Sequence, residues 1–520
     1  MKKYLVALAA ILCAVCAAPA IAQESWKRAD SAHFTVYSDA DEGVLVDYTR
    51  RLEKFDGLLR FWFDKPTRPD EAKLTVYLLD DSRNVGKLLG SRYVAGFYTA
   101  SAEATFAVAP RDRGEMDGQH VLFHEYAHHF MYRHFSAPVP AWLREGFAEF
   151  LGTVEFSDDG RWTYGALAEH RSPELRRNKD IEIQKLMGWP HKDSPYVIYG
   201  FYGWSWALTH MLYMDEDRGA RIGHYLDRLS AGEETLEAAE AVFGNLEHLE
   251  RRLERYVTKK MDYAVSSDPF AWSDEVSLAP VDPAQVRMIE YTLRRRGGHD
   301  REDTRDDLLA YAETGPTPAE ALAEAAMSEF DIESSERWKY MKKHDDAMEA
   351  PYFVKAEALA DRALALDPAN YRANIVKGRI LSRRLMESRD TDAQAWKVAR
   401  RHFQIANRTD PTNVEALFRF ARSYVYEGRE GEMMHDAYIA AFKNAPQVTQ
   451  YRIWLAYDFA RLGDFDTALG LIRPLSSDPH YPKLGRKVMK RIEAMRESGA
   501  KFPELDYDDE YDGEDEEDDT

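Results

Sequence analysis

The sequence predicts an α+β fold in two parts: a small N-terminal mixed sheet with a helix bundle, then an all-α array of paired helices. Alternating apolar residues, as in HFTVYS over His33–Ser38, mark short strands only in the early part of the chain. From about Ala279 the composition turns helical and Ala-rich, and prolines recur at near-regular intervals.

Each element follows from its local pattern. Val44–Phe63 has helical apolar spacing and Lys73–Leu79 alternates again, so the chain opens as strand, helix, strand. Gly96–Ala109 reads as two short strands joined around Ser101–Glu103, the second of them, Ala104–Ala109, expected at a sheet edge. Gly118–Phe135 is expected as a helix. Pro138 and Pro140 break it, because proline lacks the N–H and clashes with the preceding turn, and a second helix runs over Ala141–Leu151. Further helices are expected at Tyr196–Tyr213, Asp215–Leu229 and Leu246–Val265.

In the second part Pro368, Pro411, Pro446 and Pro479 are separated by 43, 35 and 33 residues. A period near 34, with each proline closing a helix pair, is the signature of a tetratricopeptide-type array. In LAYDFARLGDFDTAL, Leu455, Ala456, Phe459, Gly463 and Ala468 hold the small and apolar positions that let one pair nest on the next. The longer first interval fits an insertion near Met386–Gln394, between the two helices of its repeat. Tetratricopeptide-like repeats are thus expected over 349–500, after a helical lead-in over 279–348. Stacked helix pairs present a broad surface suited to substrate or a protein partner.

The ends of the chain differ from the body. Lys2 and Lys3, an apolar run from Leu5 to Ala18, and Ala20-Ile21-Ala22 read as a secretory signal peptide over 1–22. The run is shorter than the ~20 residues a bilayer span needs. Export is therefore expected, to the periplasm or beyond. Cys13 and Cys16, the only cysteines, lie inside that segment, so disulfides and cysteine nucleophiles are excluded from the rest. Residues 504–520 carry twelve acidic and no basic side chains, the composition of a disordered acidic tail. They supply over half of the formal charge of -21, and the body is acidic too, which argues against nucleic acid or anionic lipid as partner.

The chemistry-bearing pattern is His124-Glu125-Tyr126-Ala127-His128 in the middle of the first strong helix. Residues four apart share a helix face, so both imidazoles can reach one ion, with Glu125 beside them to take a proton from the water such an ion activates. Glu145, on the next helix in WLREGFAE, would complete a two-His, one-Glu set that leaves a fourth position open, as catalytic zinc does. His120 shares the face of His124 but lies two turns, about 12 Å, from His128, and His129 is rotated by about 100° from it. Neither is expected to bind the same ion; both read as packing or hydrogen-bonding residues.

HEYAH followed by WLREGFAE resembles the zinc helix and glutamate helix of the gluzincins, the thermolysin and aminopeptidase N group. The flanking sequence from about Trp26 to Tyr213 resembles the peptidase-MA-like branch, of unknown function. The resemblance implies a gluzincin-like metallopeptidase domain over 23–270 that uses one Zn2+ per chain. His124, His128 and Glu145 would be its ligands, Glu125 the general base, and Glu149 an outer carboxylate fixing the tautomer of a ligand imidazole. It also implies a tyrosine donor for the oxyanion: Tyr199 or Tyr202, of which YGWSWAL favours Tyr202, with His210 a further possible donor. Gluzincins hold an extended substrate by strand addition, here expected along Ala104–Ala109. The sixteen residues between His128 and Glu145 differ slightly from the aminopeptidase N spacing, which bears on exopeptidase activity more than on metal binding.

The expected activity is zinc-dependent hydrolysis of peptide bonds. Two other readings are compatible with the same residues: a zinc hydrolase of cell-wall peptide amides, and a non-catalytic periplasmic scaffold that binds partners through its helical repeats.

Overall fold

The computed structural model describes residues 26–68, 71–91, 94, 96–111, 118–177, 181–188, 200–215, 219–341, 353–476 and 482–503. The expected signal segment, the acidic tail, Tyr199 and Pro479 lie outside these residues.

Strands β1 (Lys27–Asp30), β2 (Phe34–Ser38), β3 (Leu74–Leu79), β4 (Phe97–Ala100) and β5 (Thr105–Pro110) join β9 (Ser277–Pro280) in one six-stranded sheet of order β4-β5-β3-β2-β1-β9. β2, β3 and β5 run parallel, with Val36 opposite Val76 and Val76 opposite Ala107; β4, β1 and β9 are antiparallel to their neighbours. Alternation in FTVYS buries Phe34, Val36 and Ser38 on one face. The edge expectation is corrected: β5 is interior, paired on both sides, and the edge strand is β4. The sheet also gains two strands that the sequence reading passed over, β1 and β9. Because β9 pairs with β1, the first unit extends past 270, and Ala279 falls within a strand.

Between strands lie helices α1 (Glu42–Phe63) and α2 (Ser82–Leu88). α1 ends where Asp64 adopts φ 51° and returns its N–H to the Arg60 carbonyl. After the sheet come α3 (Gly118–His134) and α4 (Ala141–Gly152). β6 (Glu155–Phe156) and β7 (Trp162–Tyr164) follow, with a 3-10 turn at Glu169–Arg171 and short helices α5 (Ser172–Arg177) and α6 (Ile183–Met187). α7 (Phe201–Tyr213), α8 (Ala220–Ser230), α9 (Thr235–Phe243) and α10 (Leu246–Tyr256) complete the bundle. The helix expected to reach Val265 stops at Tyr256. Ala264–Ser266 instead forms β8, paired with β7. Phe55 of α1 stacks on Phe123 of α3 at 4.0 Å, and Phe34 of β2 meets Tyr126 edge-on at 5.1 Å, which fixes α3 against sheet and helix at once.

The rest is helical. α11 (Pro283–Arg296), α12 (Arg301–Thr314) and α13 (Pro318–Met341) lead into α14 (Val354–Leu366), α15 (Tyr371–Glu387), α16 (Ala393–Thr409), α17 (Glu415–Glu427), α18 (Glu432–Asn444), α19 (Thr449–Arg461), α20 (Phe465–Ser476) and α21 (Pro482–Ser498). This is a helical repeat domain of stacked antiparallel pairs. Pro368, Pro411 and Pro446 sit in the turns between pairs, and the insertion near Met386–Gln394 is the turn between α15 and α16. Leu455, Ala456 and Ala468 are buried, and Gly463 turns the chain with φ 87°. Among the described residues no helix is long and apolar enough to cross a membrane.

Candidate metal centre

Two buried helices build the site. α3 turns His120, His124 and His128 onto one face, and α4, buried along its whole length, lies across that face with Glu145 and Glu149 one turn apart. α4 can approach α7 only because residue 146 is glycine: a Cβ there would stand 2.1 Å from Thr209 Oγ1 and 2.4 Å from the Ser205 carbonyl oxygen.

His124 Nε2 lies 3.1 Å from His128 Nε2; Glu145 Oε2 lies 3.7 Å from the former and 3.3 Å from the latter. A tetrahedral zinc with ligand bonds of about 2.05 Å has ligand-to-ligand edges of about 3.3 Å, so the triangle has the size such an ion needs. Two imidazoles and a carboxylate also match zinc chemistry, and the sequence-expected ligands His124, His128 and Glu145 therefore fit the metal as a set. Burial, opposed by Glu149, lowers the His124 pKa to about 4, which keeps the ring neutral as a ligand must be. Burial opposes charge on His128 as well, but Glu145 outweighs it and the pKa is raised.

Glu125 flanks the triangle. Burial pushes its carboxyl up to about 7, with His128 opposing and Glu145 adding to the rise, while the nearby Tyr98 backbone of edge strand β4 opposes it. Glu149 stands on the outer side, Oε1 3.5 Å from His124 Nδ1, the position expected of a tautomer-fixing carboxylate. It accepts from Arg171 Nε at 3.0 Å and Nη2 at 2.6 Å, and its other oxygen lies 3.0 Å from His170 Nε2 and 3.4 Å from His120 Nε2. His120 thus packs on Glu149, and His129 Nδ1 lies 3.0 Å from the Tyr98 hydroxyl, away from the triangle.

Tyr202, second residue of α7, is half-buried beneath the Arg171 guanidinium, 4.7 Å from its ring centroid. Burial and then the nearby Glu145 raise its pKa, so the hydroxyl keeps its proton. His210 is not a donor to the site: its ring nitrogens lie 2.7 Å from the Tyr256 hydroxyl and 2.8 Å from the Gly165 carbonyl. Sequence reasoning missed His170, Arg171 and Tyr98. No spacing rule ties a 3-10 turn or a residue of a short strand to α3, so no signal marked them.

No protein-family model matches the chain, and no curated protein matches it. Among solved structures, "MamA RS-1 ArsTM double mutant" aligns over 42% of this chain and 98% of its own at 15% identity, with a TM-score of 0.25. "MamA D159K mutant 1" aligns over 37% and 99% at 17% identity, with a TM-score of 0.21.

Proposed function

We propose that this chain is an exported zinc-dependent peptidase of gluzincin type. The observation that carries the reading is the triangle of His124 Nε2, His128 Nε2 and Glu145 Oε2, sized for one tetrahedral ion, with Glu125 at its flank. When bound there, zinc would supply Lewis acidity and lower the pKa of a water toward neutrality. Glu125, with a carboxyl pKa near 7, takes a proton from the attacking water and returns it to the leaving amine. Tyr202 keeps its proton and donates to the oxyanion that develops on the scissile carbonyl. Glu149 holds His124 in the tautomer that turns Nε2 inward. An extended peptide adds along β4, the edge strand of the sheet beside α3.

The helical repeats supply the surface for a substrate or partner protein. Glu125→Gln tests the reading: zinc content stays at wild-type level while peptide turnover is abolished, and retained turnover rejects it.

A further inference from the structure

The β4–β5 hairpin points its tip into the helical array. Residues 101–104 close the hairpin, with the Ser101 N–H donating to the Ala104 carbonyl at 2.9 Å. Ala102 is 3% exposed and belongs to the apolar cluster of Val414, Phe418 and Tyr451, whose hydroxyl donates to the Ala102 carbonyl at 2.8 Å. Next to it the Glu103 carboxylate accepts from Arg295, from Arg296 Nε at 3.1 Å and from Arg372 Nη1 at 2.7 Å. These cations come from α11 and α15, and Glu324 and Asp331 of α13 balance them: Arg295 Nε to Glu324 Oε1 is 2.6 Å, Arg372 Nε to Glu324 Oε2 2.9 Å, and Arg295 Nη1 to Asp331 Oδ2 3.1 Å. Gln447 Nε2 donates to Thr105 Oγ1 at 3.2 Å from the turn before α19. The tip is therefore held by helices from α11 to α19, far apart in sequence.

We infer that the helical array acts as an intramolecular clamp on this hairpin, and that Glu103 is a positioning residue for the candidate site. Tyr98, whose hydroxyl lies 3.0 Å from Nδ1 of His129, the residue after His128 on α3, lies four residues from Ala102. Tyr98 to Ala100 is paired strand and Ser101 closes the turn onto Ala104, so at about 3.3 Å per residue the tip lies at most about 13 Å along the chain from Tyr98, short enough to carry its position to the edge where substrate would add. A half-buried carboxylate facing three guanidiniums is neutralised by fixed geometry. Removing its charge leaves the arginines in excess and loosens the tip. The array then has a use in cis, ordering β4, whatever its remaining surface binds. The kinetic part of the inference rests on the peptidase reading; the clamp itself does not.

Hydrogen exchange of the full chain, followed by mass spectrometry, tests both parts. The variants are Glu103→Gln, which keeps shape and removes charge, and Ala102→Arg, which blocks the apolar seat. Zinc content is measured alongside. The expected result is at least tenfold faster exchange over 97–110 in both variants, reaching β4 as well as the tip, with zinc content unchanged. On a peptide that the wild type hydrolyses, KM rises at least fivefold with a smaller change in kcat. Unchanged exchange, or faster exchange confined to 101–104, overturns the clamp. Faster exchange in β4 with KM and kcat both at wild-type values overturns the positioning role. A wild type that hydrolyses no peptide counts against the peptidase reading alone, and the exchange result still decides the clamp.

Discussion

His124 and His128 turn their Nε2 atoms toward each other, 3.1 Å apart, with Glu145 Oε2 within 3.7 Å of both. One turn of α3 produces the pair, and the crossing of α4 supplies the third atom. The crossing depends on Gly146. Gly146→Ala is expected to push α4 from α7, destabilising the protein by about 1–3 kcal/mol through overpacking. It should also weaken zinc binding, because Glu145 is the preceding residue. Denaturant unfolding and zinc competition check the two effects, and full zinc affinity at reduced stability would show that Glu145 does not depend on the crossing.

Glu149→Gln keeps the shape of the carboxylate beside His124 Nδ1 and removes its charge. Zinc affinity should fall about 10–100-fold, the usual cost of losing an outer-shell partner. Chelator competition measures it; an unchanged affinity would mean that Arg171 and His170, not His124, are what Glu149 serves.

Tyr202→Phe should lower kcat about 100-fold or more with zinc content intact, as loss of one oxyanion donor does. A wild-type kcat would return the role to Tyr199 or to no tyrosine.

A second buried network, behind α3, governs stability rather than chemistry. Burial alone would raise the Glu71 pKa, but His134, Arg60 and Arg133 hold it well below the usual carboxylate range. The folded state thus binds this proton less tightly than the unfolded chain. The stabilisation is complete above the ordinary glutamate pKa of about 4.3 and is lost as pH falls below it. Glu71→Gln should cost about 3 kcal/mol at pH 7. The gap to wild type should narrow steadily below about pH 4. Denaturant titrations at several pH values check this, and a gap that holds constant down to pH 3 would contradict it.

The helices were legible where one face is apolar over several turns. The expected helices Gly118–Phe135 and Ala141–Leu151 end within a residue of the observed ones, and His120, His124 and His128 share one face as the helical period requires. The short strands were not. Lys27–Asp30 (KRAD) holds three charged residues and one apolar residue, so it shows no alternation of hydrophobicity, and its partner Ser277–Pro280 is a strand through pairing with it. Which strand forms the edge depends on the parallel partner of β5, a long-range pairing that local alternation does not encode. The helix expected over Leu246–Val265 stops at Tyr256, because Val265 pairs with Thr163 in a second sheet that local spacing does not encode. Arg171 and Glu103 escaped for one shared reason: each acts on groups far away in sequence, and only the fold brings them together.

Metal content of the purified protein, measured by mass spectrometry for wild type, His124→Ala and Glu145→Ala, tests the central claim most directly. One zinc per chain in the wild type and none in either variant is the expected result. Wild-type protein that holds no zinc after reconstitution, or variants that retain it, would contradict the metal centre.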